Sequence, residues 1–268
     1  MLILLFLAAS LAASLYLFFI TGFSIRKALL TFALVFLALN LCYLLVLWVA
    51  TLTFNSKQAL TKQNSFCRAA CVGVASLALG YSWVRTHISG AEKLPEDVRF
   101  LLVSNHRSGY DPLIILKKLK KYNISCISKS ANMELPVIGR VAYGAGFLPI
   151  DREDNRSALK TILTAVDYIK RDICSMAIYP EGTRTKTGEL GEFHAGSFKI
   201  AQKADVPLVI SAVYGTEKVK KNILRRVSHV HMDILEVVPA DRVKAMSTRE
   251  LSDYSKNVIA AHLASVGA

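Results

Sequence analysis

Residues 105–111 read NHRSGYD and place His106 five positions before Asp111. The apolar stretches LLVS and PLIIL flank this segment, so it forms a polar turn between two buried elements. A carboxylate folded back onto an imidazole fixes the tautomer, and the other ring nitrogen can then take a proton from a substrate hydroxyl. Taken alone, the pattern also suits a helix cap or a surface histidine. Ser108 has no surrounding G-x-S-x-G sequence, so a serine nucleophile is not indicated.

Two further polar segments carry arginine directly after apolar stretches. Arg152 follows GFLPID, and YPEGTR supplies Glu181, Gly182, Thr183 and Arg184. The guanidinium fork donates two parallel hydrogen bonds to phosphate, glycine lets the backbone approach an anion, and threonine adds a hydroxyl donor. Glu181 cannot bind phosphate, so it would orient an arginine or accept a ligand hydroxyl. For either arginine alone, a solvated surface position is the commoner alternative.

The elements that must position these side chains follow from the apolar pattern beyond residue 99. Strands are predicted at RFLLVSN, ISCISK, FLPID, SMAIY, PLVISAVYG and RVSHVHMDILEVV, with a helix at NRSALKTILTAVDYIKRD and another over residues 247–266. The alternation indicates an α/β domain with a mostly parallel sheet flanked by helices. Ligands of such sheets bind beyond the carboxyl ends of the strands, so the three polar segments are expected to meet at one edge.

The first 54 residues have a different character. Residues 1–25 contain no charged side chain, and residues 28–54 again contain none. Each stretch reaches the ~20 apolar residues that cross a bilayer as a helix. Two helices, about residues 2–21 and 28–53, are therefore predicted as a hydrophobic membrane anchor spanning residues 1–54. A cleaved signal peptide is less favoured because no basic residue precedes Arg26.

Residues 55–84 form the predicted linker, and residues 85–268 form the predicted catalytic domain. The linker contains the apolar run AACVGVASLALGYSWV, at residues 69–84, which is short for a bilayer span. It is either an interfacial or re-entrant helix or a buried helix of the domain.

The chain carries a formal net charge of +13, which indicates an anionic partner. An anionic membrane surface is favoured because candidate spans are present, and no nucleic-acid motif accompanies the charge. Basic residues after the second apolar stretch place the domain on the cytoplasmic side of the cell membrane. The runs LKKLKK and KVKKNILRR are typical of solvated surfaces and could also face lipid headgroups. The five cysteines include no C-x-x-C pair, so no metal site is expected.

Four segments together, NHRSGYD, GFLPIDR, YPEGTR and VPLVI, resemble the sequence blocks of the glycerolipid acyltransferase family in their order. The resemblance spans roughly residues 85–240 and is to bacterial-type 1-acylglycerol-3-phosphate acyltransferases. It implies that His106 is the general base and that Asp111 orients it. It also implies that Arg152 holds the acceptor phosphate and that residues 181–184 complete the acceptor pocket.

The same resemblance implies that lysophosphatidic acid accepts an acyl group at its sn-2 hydroxyl to give phosphatidic acid. The donor would be a fatty acyl thioester of coenzyme A or of acyl carrier protein, with no metal or other cofactor. The chain departs from the family at Ile210 or Ser211, where a second proline is frequent, and in the spacing of Lys129 from Glu134. Glycerol 3-phosphate or another lysolipid remains an alternative acceptor, and a non-catalytic lipid-binding scaffold is the alternative outside the enzymes.

Overall fold

The computed structural model describes residues 2–52, 60–151, 153–185, 189–223 and 225–268. The chain divides into two compact units, Met1–Asn55 and Ser56–Ala268. The smaller unit consists of helices α1 (Leu2–Thr21) and α2 (Ile25–Thr51). Both are long and apolar enough to cross a membrane, judged by length and composition alone. The two predicted helices are therefore confirmed.

The two helices of the smaller unit lie against each other. The hydroxyl of Ser14, in α1, donates a hydrogen bond of 2.6 Å to the backbone carbonyl of Ala28, in α2. Gly22 lies in the connection between the helices with φ +64°, a conformation that glycine adopts without steric cost. The short connection makes the helices antiparallel neighbours.

A single sheet organises the larger unit. Its described strands are β1 (Val84–Ser89), β2 (Leu101–Ser104), β3 (Ile124–Lys129), β4 (Leu148–Ile150), β5 (Ser175–Ile178), β6 (Leu208–Tyr214) and β7 (Ser228–Val238). Their spatial order is β1-β7-β6-β2-β5-β3-β4. Every described pair is parallel except β6–β7, which is antiparallel. The predicted mostly parallel sheet is confirmed.

Helices cover the sheet. They are α3 (Ser65–Tyr81), α4 (Asp111–Lys118), α5 (Ser130–Met133), α6 (Ile138–Gly144), α7 (Asn155–Lys170), α8 (Lys199–Ala204), α9 (Val219–Asn222), α10 (Ala240–Ala245) and α11 (Thr248–Ser265). The predicted helices of residues 155–170 and 247–266 are present as α7 and α11. Helix α11 begins with a capping box, in which Ser247 and Glu250 satisfy each other's backbone N–H groups.

Helix α3 packs on the larger unit against α4 and α6. The side chain of Asn64 caps its first turn by accepting a hydrogen bond from the Cys67 N–H. The guanidinium of Arg68 donates to the backbone carbonyl of Ile124 at 2.5 Å and so ties the helix to β3. The buried face consists of Cys67, Ala70, Cys71, Ala75, Leu77 and Leu79. This packing corresponds to the buried-helix alternative for the apolar run at residues 69–84.

Strand β1 was not among the predicted strands. It pairs in parallel with β7, with Val84 opposite Ser228 and Ser89 opposite Asp233. Its sequence, VRTHIS, alternates half-buried with exposed residues at the edge of the sheet. A strand at the edge of a sheet with one solvent-exposed face contains few apolar residues, so its sequence does not stand out as a strand. For this reason β1 was not predicted.

Candidate active site

The turn that carries His106 begins where β2 ends and stops where α4 begins. The Asn105 side chain donates to the backbone carbonyl of Val213 at 2.8 Å and accepts from the Val213 N–H at 2.7 Å. The amide therefore acts as one more rung between β2 and β6. This clamp fixes the base of the turn at the carboxyl ends of both strands.

The side chains of His106 and Asp111 form a dyad. His106 Nδ1 lies 2.7 Å from Asp111 Oδ2, and the carboxylate is buried. The same oxygen accepts the backbone N–H groups of Arg107 and Ser108, both at 2.8 Å. The other oxygen, Oδ1, accepts the hydroxyl of Thr216 at 2.6 Å. These donors hold the carboxylate facing the imidazole.

This arrangement decides the tautomer of His106. Because a carboxylate only accepts hydrogen bonds, Nδ1 carries the proton and Nε2 is left with a lone pair. Within the described part of the chain, Nε2 has no hydrogen-bond partner. The imidazole also stacks on the ring of Tyr179, with centroids 4.3 Å apart and planes inclined by 18°. The dyad can therefore offer a fixed base to a substrate hydroxyl.

The structure brings Glu181 to the dyad. Its buried carboxylate accepts the backbone N–H of His106 at 2.7 Å through Oε1. Its Oε2 accepts the hydroxyl of Thr185 at 2.6 Å and the N–H of Gly191 at 2.9 Å. The N–H of Thr185 in turn donates to the carbonyl of His106 at 2.9 Å. Glu181 thus joins the YPEGTR segment to the histidine through internal hydrogen bonds.

The other residues predicted to bind the acceptor, Gly182, Thr183 and Arg184, come directly after Glu181 in the sequence. Gly182 is buried, with φ +74°, and its N–H donates to the carbonyl of Tyr179 at 3.0 Å. The positive φ accounts for glycine at this position. Thr183 and Arg184 are exposed and available to an anion from solvent. Arg152 lies outside the described residues, so its predicted role stays a prediction.

Sequence reasoning missed several neighbours of the dyad. Thr216 follows β6 and is 105 positions from Asp111, and no spacing pattern links the two. Arg107 lies inside NHRSGYD, yet its side chain is buried and its Nη1 is 4.0 Å from Glu217 Oε2. Tyr179 is the first residue of YPEGTR, and this position was the only sequence signal that it lies near the dyad.

A cavity of about 380 Å³ lies on the larger unit and is connected to the dyad through Tyr179. Its wall includes the apolar side chains of Ile127, Ile150, Leu159, Ile162 and Ile178. The same wall includes Tyr179, whose ring contacts His106. Burial raises the pKa of the Tyr179 hydroxyl well above its usual value, and this buried hydroxyl has no partner among the described residues. A mostly apolar cavity that shares the Tyr179 ring with the dyad suits an alkyl chain attached to a reactive carbonyl.

Comparison with known proteins agrees with this geometry. Residues 85–214 match the family model described as Acyltransferase. A chloroplastic 1-acyl-sn-glycerol-3-phosphate acyltransferase of Brassica napus is 37% identical over 146 residues, covering 54% of this chain and 41% of that protein. The 1-acyl-sn-glycerol-3-phosphate acyltransferase of Borreliella burgdorferi is 27% identical over 180 residues, covering 63% of this chain and 68% of that protein.

The fold is also that of a solved structure. The crystal structure of the 1-acyl-sn-glycerophosphate acyltransferase from Thermotoga maritima superposes with a TM-score of 0.62 at 20% identity, covering 97% of both chains. This likeness shows the fold. In sequence, the matched region spans only 41% of the Brassica napus relative.

Proposed function

We propose that this chain is an O-acyltransferase that transfers a fatty acyl group from an acyl thioester to the sn-2 hydroxyl of lysophosphatidic acid. The product is phosphatidic acid, an intermediate of phospholipid biosynthesis. The observation that carries the proposal is the 2.7 Å contact between His106 Nδ1 and Asp111 Oδ2, which leaves Nε2 as a base. The names of the relatives support the choice of acceptor.

In the proposed reaction, His106 Nε2 removes the proton of the acceptor hydroxyl as its oxygen attacks the thioester carbonyl carbon. The tetrahedral intermediate then collapses, the carbon–sulfur bond breaks, and the leaving thiolate takes the proton from the imidazolium. Asp111 stabilises the imidazolium during this exchange. No protein nucleophile, metal or further cofactor is needed for these steps.

The two substrates are assigned to different parts of the site. The donor acyl chain occupies the cavity bordered by Ile127, Ile162 and Tyr179, which places its thioester near His106. Coenzyme A and acyl carrier protein both present such a thioester. The acceptor phosphate is assigned to Thr183 and Arg184, because both are exposed beside Glu181, and to Arg152. Arg184 can bind phosphate through two parallel hydrogen bonds.

The membrane location belongs to the same proposal. Helices α1 and α2 anchor the chain in the cell membrane, and the basic residues that follow α2 keep the larger unit on the cytoplasmic side. Both lysophosphatidic acid and phosphatidic acid reside in that membrane, so an anchored enzyme meets its acceptor without extracting it into water.

A panel of acceptors tests the proposal. The purified 268-residue chain is assayed with one acyl thioester and with lysophosphatidic acid, glycerol 3-phosphate and a neutral lysolipid. Lysophosphatidic acid is expected to be the best acceptor, and a better rate with glycerol 3-phosphate would overturn the choice. His106→Ala is expected to abolish transfer while the thermal midpoint stays unchanged. Undiminished transfer in that variant would remove the catalytic interpretation and leave a lipid-binding scaffold.

A further inference from the structure

Trp83 is an exposed aromatic residue whose backbone has a positive φ angle. It lies in the turn between α3 and β1 with φ +51°, a conformation that L-residues with a Cβ rarely adopt. Half of its surface is exposed, at 50%. Its N–H donates to the Gly80 carbonyl at 3.0 Å, and its carbonyl accepts the Ser228 N–H at 3.0 Å. The fold therefore holds a large apolar side chain at the surface despite the steric cost.

The neighbouring segment adds an apolar residue and a concentration of positive charge. Ser228 begins β7, and Val227, which precedes it, is exposed. Residues 218–227 contain five basic residues and no acidic residue. All five basic side chains are exposed, namely Lys218, Lys220, Lys221, Arg225 and Arg226. This composition is complementary to an anionic surface.

The topology places these residues at the edge of the sheet that carries the dyad. Strand β7 runs antiparallel to β6 and parallel to β1, so β1 and β7 begin where β6 and β2 end. A direct contact confirms the proximity, since Ser82 Oγ lies 2.7 Å from the Tyr110 hydroxyl in the NHRSGYD turn. Trp83 is the residue after Ser82, so it lies near the NHRSGYD turn.

We propose that Trp83, Val227 and the five exposed basic side chains form a bilayer-contact surface of the larger unit, here called the edge surface. Tryptophan concentrates at the level of lipid headgroups because its ring is apolar while its N–H remains a donor. The lysines and arginines bind the phosphates of an anionic leaflet. Contact through the edge surface brings the sheet edge that carries His106 to the lipid. The proposed membrane contact is independent of the reaction proposed above, because a protein that transfers no acyl group could still make it.

The chain supplies its own probe, because Trp48 and Trp83 are its two tryptophans. Trp48→Phe leaves Trp83 as the single fluorophore. The protein is reconstituted into vesicles of equal phosphatidylglycerol and phosphatidylcholine, with or without bromine near the headgroup end of the acyl chains. Bromine is expected to reduce the Trp83 emission by about twofold if the indole lies at the interface. Unchanged emission in protein that floats with the vesicles would overturn the proposal.

A matched reporter on the opposite edge controls for general proximity. Val98 is 53% exposed and lies just before β2, at the far end of the strand from the dyad. Val98→Trp in the Trp48→Phe/Trp83→Phe background therefore carries an indole at a similarly exposed position away from the edge surface. Its emission is expected to be insensitive to bromine. Equal quenching of both reporters would mean that the edge surface has no special contact with lipid, which contradicts the proposal.

Charge and partner are tested in the same system. The double variant Lys220→Glu/Lys221→Glu is expected to lose most of the bromine quenching of Trp83. The protein with its native lysines is expected to lose the quenching as well when the vesicles contain phosphatidylcholine alone. If the quenching of Trp83 is as strong in the double variant and in neutral vesicles as it is with native lysines and anionic vesicles, the basic side chains do not have the proposed role. An acidic acyl carrier protein added in detergent is expected to leave the Trp83 emission unchanged. A shift with that protein, together with no quenching by vesicles, would make the edge surface a protein-docking site instead.

Discussion

The backbone N–H of His106 donates a hydrogen bond of 2.7 Å to Oε1 of Glu181, which is 75 residues further along the chain. Through this contact, the segment YPEGTR acts on the position of the base as well as on whatever ligand its exposed residues bind. The carboxylate is buried and both its oxygens accept internal donors. Glu181 therefore combines the NHRSGYD turn and the loop that follows β5 into one rigid site.

Glu181→Gln tests this positioning role. The amide keeps the shape but turns one acceptor into a donor, which leaves a backbone or hydroxyl donor unpaired at a cost of about 1–3 kcal/mol. We expect kcat to fall by about tenfold or more, with little change in the acceptor KM. Glu189→Gln, an exposed position in the same loop, is the control and should be silent. A rise in acceptor KM at constant kcat would instead support the predicted direct role in the acceptor pocket.

Thr216→Val removes the hydroxyl that donates to Asp111 Oδ1 at 2.6 Å and keeps the side-chain shape. The buried carboxylate loses one orienting donor, so kcat should fall by about tenfold, a loss near 1.4 kcal/mol. Thr216→Ser keeps the hydroxyl and should retain most of the activity. Steady-state kinetics of both variants check this. Equal losses in valine and serine variants would show that the methyl group, and not the hydrogen bond, matters.

Ala158→Phe adds volume at a residue that lines the cavity beside Tyr179. If the acyl chain occupies this cavity, the variant should prefer shorter thioesters, with a change in the ratio of kcat/KM between long and short donors of about tenfold or more. Ser157→Phe adds a similar side chain to the same helix without lining the cavity. An unchanged chain-length profile in the Ala158 variant would place the acyl chain elsewhere.

The pH dependence of stability should include a contribution from Asp233. Burial raises the pKa of this carboxyl group, but hydrogen bonds with Ser89, His262 and Tyr214 outweigh burial and lower it. A group whose pKa is lowered on folding stabilises the protein above its unfolded value near 3.9, and this stabilisation is lost as the pH falls through the folded value.

Asp233→Asn should therefore reduce the free energy of unfolding by about 1–3 kcal/mol at neutral pH, with a smaller deficit below about pH 4. Thermal unfolding of both proteins between pH 3 and 8 measures this. Asp253→Asn, at an exposed position of α11, should leave the midpoint unchanged at every pH. A deficit that stays constant with pH would mean that Asp233 stabilises the fold by shape alone.

Local patterns in the sequence predicted much of the fold. The six predicted strands are present because each is either a short apolar run between turn residues or an alternating segment such as β7. The dyad was predictable because its two members lie in one turn. Strand β1 escaped because its six residues, VRTHIS, include only two aliphatic side chains.

Contacts between distant segments were not predictable in the same way. The donors to Asp111 Oδ1 and to the Asn105 side chain come from residues 216 and 213, beyond the reach of any local spacing rule. The internal role of Glu181 is equally hidden, because a glutamate that binds a ligand and one that binds backbone N–H groups look the same in sequence. Whether a carboxylate is buried depends on the packing of the whole sheet edge.

The clamp between Asn105 and Val213 has a consequence for how the protein acquires its proposed activity. During synthesis the NHRSGYD turn leaves the ribosome more than a hundred residues before the strand that clamps it. Until that strand has been made and added beside β2, the turn lacks both its amide rung and the Thr216 hydroxyl. A truncated or nascent chain that ends before residue 213 therefore carries the histidine and the aspartate without these supports, and the proposed base is oriented only once β6 has been added beside β2.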